Sequence, residues 1–234
     1  MSGRSWSLGL RPTVLGLALV GVVLLSDTIL AIALGARNSW SRREQSRILA
    51  KLDSLGKVRE TLARTCQVRD ILVDVSRQGI SDREASLLAR EIDRNARMYD
   101  FDPLMILAVV LTESGAEFDA VGHGASGTAS GALGVMQVQP ATARTMAAAL
   151  GMRPPEGGGL LDPSYNLSVG VAFLLQMVHR YGDLRLGIMA YNVGPTGLES
   201  GLRGESALPE GYYRKVLGNY RRLRRKSSPP GVRG

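Results

Sequence analysis

Cysteine is almost absent from the 234 residues. Cys66 stands alone, so no disulfide can close within the chain and no cysteine-based zinc cluster is available. A lone cysteine near an apolar stripe is expected to act as a small apolar filler. Histidine is scarce as well. His123 and His179 are far apart, and no H-E-x-x-H or similar spacing exists. The expectation is therefore an activity without metal or other cofactor. Basic residues are missing where a nucleic-acid face would need them. Residues 101–220 hold 7 Lys/Arg against 10 Asp/Glu, whereas residues 1–100 hold 16 against 11 and residues 221–234 hold 6 against none. The net charge of +8 thus sits in the flanks, and a nucleic-acid partner for the central part is excluded.

What is present begins with an apolar run. Residues 13–34 read TVLGLALVGVVLLSDTILAIAL, 22 residues with one charge, Asp27. About 20 apolar residues suffice to span a bilayer. Two readings stand: an uncleaved signal anchor, or a cleaved secretory signal with small residues near Ala31–Ala36. Asp27 opposes the first, since a mid-helix Asp costs about 2.5–3.5 kcal/mol on insertion scales. Arg37, Arg42, Arg43 and Arg47 outnumber Arg4 and Arg11, which by charge alone would hold the C-terminal part in the cytoplasm. Long domains translocate largely regardless of such charges.

Residues 41–78 are charged and helical in pattern. Ile48, Leu52, Leu55, Val58 and Leu62 recur at spacings of three and four, one apolar stripe on a helix. The stripe fits a short coiled coil or self-associating stalk, and equally a helix packed on its own domain. It decays beyond Leu62. Gly79 is placed to stop this helix, and Ser81–Glu84, SDRE, is a capping box opening the next. The domain boundary is set near Gly79.

Asp102-Pro103 opens a further helix, with Asp as N-cap and Pro at the first helical position. Its body, LMILAVVL, is apolar almost all round and belongs in a core. Glu113 closes it. Burial and the negative end of the helix dipole should both raise the pKa of this carboxyl. A carboxyl that keeps its proton near neutrality can protonate a glycosidic oxygen. On position alone, a Glu at a helix end is ordinarily a solvated surface residue. Downstream stand a glycine-punctuated loop, Gly131–Pro140 (GALGVMQVQP), the sequence Ala190–Pro195 (AYNVGP), and Tyr212–Val216. Glycosidases usually need two carboxylates, about 5–5.5 or 6.5–9.5 Å apart. Glu117, Asp119, Asp162 and Asp183 are the candidates for a second, none of them in a defined motif.

The acid-Ser pair Glu113-Ser114, the Gly-x-Met-Gln loop Gly134–Gln137, the Ala-Tyr-Asn-x-Gly turn Ala190–Gly194 and the final Tyr212-x-x-x-Val216 together resemble the soluble lytic transglycosylases of the lysozyme superfamily. The resemblance runs from about Ile80 to Leu223. It implies a mainly α, lysozyme-like domain, preceded here by the N-terminal membrane helix and the helical linker. It implies peptidoglycan glycan strands as substrate, the periplasmic face of a bacterial inner membrane as location (or secretion to the periplasm if the signal is cleaved), and a reaction run by one acid. Glu113 would protonate the leaving oxygen, then take the proton of the muramic acid C6 hydroxyl as that oxygen closes on C1. The other site residues implied are Ser114, Gln137, Tyr191, Asn192, Tyr212 and Met136. Met136 would touch a sugar face or pack in the core, Gln137 would bond an acetamido group, and Tyr191 would bond and orient Glu113. Asn192 would hold a sugar amide or a loop carbonyl, and Tyr212 would flank the cleft.

The pattern departs from the family in places. Phe118 comes five residues after the acid instead of about three. The segment GHGASGTAS lengthens the path to Gly134 and would form a mobile lip. The expected organisation is 1–36 signal anchor or signal peptide, 37–79 helical linker, 80–223 catalytic domain and 224–234 basic disordered tail. A hydrolytic muramidase of the same superfamily and a non-enzymatic wall-binding component of an envelope complex are the alternatives.

Overall fold

A computed structural model describes residues 12–76, 79–123 and 129–227. Two compact units divide the chain, residues 1–59 and 60–234. Arg4, Arg11 and residues 228–234 lie outside the described part.

In the first unit the chain is helical: α1 runs Pro12–Val75 and enters the second unit at Glu60. Most side chains of residues 13–24 are not described, and among the described residues no helix is long and apolar enough to cross a membrane. The membrane helix expected there is therefore unsupported. The apolar stripe stands out in solvent, with Ile48, Leu52, Leu55 and Val58 each more than half exposed. An Asp53–Lys57 pair, 2.9 Å apart one helical turn on, lies on the exposed surface of this stretch.

The second unit is helical around an aliphatic core. Its elements are the end of α1, α2 (Asp82–Met98), α3 (Pro103–Glu113), a hairpin of β1 (Val121–His123) and β2 (Ala129–Leu133), α4 (Pro140–Ala149), α5 (Pro163–Tyr181), α6 (Leu184–Leu202) and α7 (Glu210–Ser227). The last turns of α1 belong to this core: Val68, Ile71, Leu72 and Val75 are buried. They lie on a different face from the exposed stripe, so the fade of the pattern after Leu62 marks a change of face, and the compact unit begins well before Gly79. The join is also electrostatic. Asp93 of α2 is buried between Arg64 and Arg97, with Nε atoms 3.1 Å from its two oxygens. Burying that carboxylate is tolerable only because both cations pair with it.

Helix starts follow local chemistry. Ser81 and Glu84 form the capping box, Ser81 Oγ accepting from the Glu84 N–H. Asp102 caps α3 by accepting from the Leu104 N–H at 2.8 Å. All seven side chains from Leu104 to Val110 are buried, as a helix apolar on every face requires. α7 lies along α3 and is tied to it by two hydrogen bonds, Tyr220 to Asp102 at 2.7 Å and Asn219 to Thr112 at 3.0 Å.

Two expectations are corrected here, on the second carboxylate and on the tail. Asp162 and Asp183, candidates for a second catalytic carboxylate, are N-caps of α5 and α6 and accept from Tyr165 and Leu186. Gly194, with φ 73° and ψ 165°, breaks α6 into two helical stretches, the second opening at Pro195 and running to Leu202. The basic tail is helical through Ser227, because Leu223 is fully buried and holds that stretch against the core.

Candidate active site

Glu113 ends α3 at the wall of a cavity of about 1060 Å³. Burial raises its pKa to about 7, against the opposing pull of a hydrogen bond from the Tyr212 hydroxyl to Oε1 at 2.5 Å. Desolvation wins because it penalises only the charged form of the carboxyl. Tyr212 and Tyr191 titrate well above the ordinary tyrosine value, held there by burial first and by the nearby Glu113 next. Both are therefore neutral O–H donors wherever the acid works.

The sequence suggested Tyr191 as the partner of Glu113 and Tyr212 as a flank of the cleft. The structure exchanges those parts. Tyr191 donates to the Met136 carbonyl at 2.7 Å and packs against Phe173, ring centroids 5.5 Å apart. Tyr212 reaches the acid from α7.

The Gly-x-Met-Gln loop is held by one side chain that the sequence gave no reason to single out. Asn166, fully buried near the start of α5, accepts from the Met136 N–H and donates to the carbonyls of Leu133 and Leu160, each at 2.8 Å. Gly134 is required beside it: φ is 74°, and a Cβ there would stand 2.6 Å from Asn166 Nδ2 and from the Leu160 carbonyl. Met136 is fully buried and does not line the cavity; its sulfur fills the space next to Gly170. Gln137 does line it, in a left-handed backbone (φ 48°), with Nε2 donating to the carbonyls of Ala120 and Gly134. Ser114 bridges acid and loop, its hydroxyl donating to the Val135 carbonyl at 2.9 Å and accepting from the Ala116 N–H.

Of the seven residues expected at the site, Glu113, Ser114, Gln137, Tyr191 and Asn192 line the cavity, Tyr212 bonds the acid, and Met136 supports from beneath. Glu117 and Asp119 line it too, so a second carboxylate is present on the same wall. Phe173 was not anticipated; nothing in its own sequence neighbourhood marks it. In the region of the expected lip β1 pairs with β2, Val121 opposite Leu133 and His123 opposite Ala129; residues 124–128 lie outside the described part.

The chain is similar to several known proteins. A transglycosylase from the Enterobacteria phage PRD1 is 30% identical over 131 residues, 56% of this chain and 42% of that one. The invasion protein IagB of Salmonella typhi is 27% identical over 132 residues, 56% of this chain and 76% of that one. The chain thus spans less than half of the phage protein. Among solved structures, the 70 kDa soluble lytic transglycosylase of Escherichia coli matches with a TM-score of 0.47, 21% identity and coverage of 60% of this chain and 26% of the other. An inactive mutant of the lytic transglycosylase Slt of Pseudomonas aeruginosa gives 0.43, 22%, 72% and 28%. The description of the transglycosylase SLT domain matches residues 90–210, just over half the chain and the stretch that builds the cavity, and the chain belongs to that family.

Proposed function

We propose that the protein is a peptidoglycan lytic transglycosylase with Glu113 as its acid and then its base. The observation that carries this reading is the state of Glu113, a carboxyl that half retains its proton at neutrality on the wall of a cavity wide enough for sugars. The Glu113 proton passes to the oxygen of the MurNAc-GlcNAc β-1,4 link as the C1–O bond breaks. The C6 hydroxyl oxygen of the muramic acid then bonds to C1 and its proton passes to the Glu113 carboxylate. The product carries a 1,6-anhydro end, no water is consumed, and the acid is regenerated. Asn192 supplies an amide group, and Gln137 its side-chain oxygen, for sugar hydroxyls and acetamides, and Tyr212 fixes the carboxyl.

Mass spectrometry of sacculi digested by the purified protein tests this. Anhydro-muramic ends are expected, and Glu113→Gln should lower their release by at least about 10²-fold. Undiminished release by that variant would sink the assignment. A hydrolytic muramidase is the second reading, favoured by Glu117 and Asp119 on the same cavity, either of which would activate a water. Reducing muramic ends, abolished in Glu117→Gln or Asp119→Asn, would mark it.

The apolar segment at 13–34 fits an anchor or export signal of an enzyme working on the periplasmic side. The exposed Ile48–Val58 stripe fits self-association of α1. Light scattering on the full chain checks the latter; Leu52→Lys with Leu55→Lys should return the protein to a monomer.

A further inference from the structure

A second cavity, about 530 Å³, is lined by the C-terminal end of α3, by α7 and by Val75 of α1. Ser114 and Glu117 line both cavities, so the two meet at the residues beside the acid. Their charges differ. Around the larger one stand three carboxylates, Glu113, Glu117 and Asp119, and, among the described residues, no lysine or arginine. Around the smaller one stand Lys215 and Arg222, with Glu117 at the junction as the sole carboxylate.

Among the described residues neither cation pairs with a carboxylate. Asn219 is committed elsewhere, donating to Thr112. Gly218 keeps the space open: a Cβ there would meet nothing within 4 Å.

We infer that this cavity binds a carboxylate of the peptide carried by the glycan strand, while the acidic cavity holds the uncharged sugars. The inference rests on the function proposed above, since only a glycan that bears acidic peptides presents both chemistries side by side. A guanidinium and an ammonium converging on one carboxylate give charge-assisted hydrogen bonds, the strong class. Glu117 at the junction repels an anion that would slide toward Glu113, and so keeps the peptide to its own side.

The test compares the full chain with Lys215→Ala, Arg222→Ala and Gly218→Leu. Lys215 is exposed and Gly218 faces open space, so those two variants keep the fold even if Arg222→Ala does not. The first readout is the ratio of kcat/KM on peptide-bearing glycan strands to that on strands stripped of peptide by an amidase. Each variant should lower the ratio by about tenfold, mostly through KM on the peptide-bearing strands. A ratio equal to wild type in Lys215→Ala and Gly218→Leu overturns the proposal. The second readout needs no turnover: titration of a stem tripeptide containing γ-linked D-glutamate into the Glu113→Gln protein. Binding that is lost in the Lys215→Ala and Gly218→Leu backgrounds supports the subsite even if the wild type cleaves no glycan. Binding unaffected by either substitution, or none in their absence, refutes it whatever the catalytic activity.

Discussion

Two opposed influences meet on Glu113, burial raising its pKa and the Tyr212 hydroxyl lowering it. They give two predictions. Tyr212→Phe removes the lowering influence, so the pH at which kcat/KM falls on the basic side, near 7 in the wild type, should move up by as much as about one unit. A profile that stays in place would show that the hydroxyl only positions the carboxyl. The second concerns stability. The folded pKa of about 7 lies above the unfolded 4.5, so the native state binds the extra proton. Its contribution is full below about pH 4.5 and is lost as pH rises through 7. Glu113→Gln should therefore match the wild type in urea unfolding at pH 4 and exceed it at pH 8 by on the order of 3 kcal/mol. Equal stability at both pH values would mean the carboxyl is well solvated. The acid and its environment were legible because an apolar helix ending in one Glu is a local pattern. Its tyrosine was not, because Tyr191 and Tyr212 are both plausible on composition, and the bond that chooses between them joins residues 99 apart.

Elements reveal their ends more readily than their couplings. The caps at Ser81 and Asp102 follow from three or four consecutive residues, and each forms as its sequence indicates. The tie between α5 and the Gly134–Gln137 loop has no such signature, since an Asn in the first turn of a helix is ordinary. Yet Asn166 supplies three bonds to that loop and its neighbour. Asn166→Ala should cost about 3–5 kcal/mol by leaving buried backbone groups unpaired, read as a lowered urea midpoint with activity lost in parallel. A loss below about 1 kcal/mol would show that the loop holds itself.

At the scale of the whole molecule, the unit boundary at Glu60 is the informative line. A chain starting at residue 60 keeps Val68, Ile71, Leu72 and Val75 and should melt within a few degrees of the full protein. A chain starting at residue 79 loses those four buried side chains, on the order of 5 kcal/mol, and should melt about 10–20 °C lower. Equal melting of the two would detach α1 from the core. This boundary was hidden in the sequence because the apolar face of α1 shifts after Leu62, from an exposed stripe to a buried one, and a search for one periodic stripe reads that change as an end.

The single carboxamide at Asn166 also bears on any effort to retarget the cleft. Asp at that position would set a negative oxygen against two carbonyls, Leu would offer no polar atoms, and any side chain at residue 134 collides with the amide itself. Libraries built on the glycine loop would thus be populated mainly by misfolded clones. New sugar preferences are better sought along the rim, at Thr142, Asn192 and Val193, which face the cavity without carrying its frame.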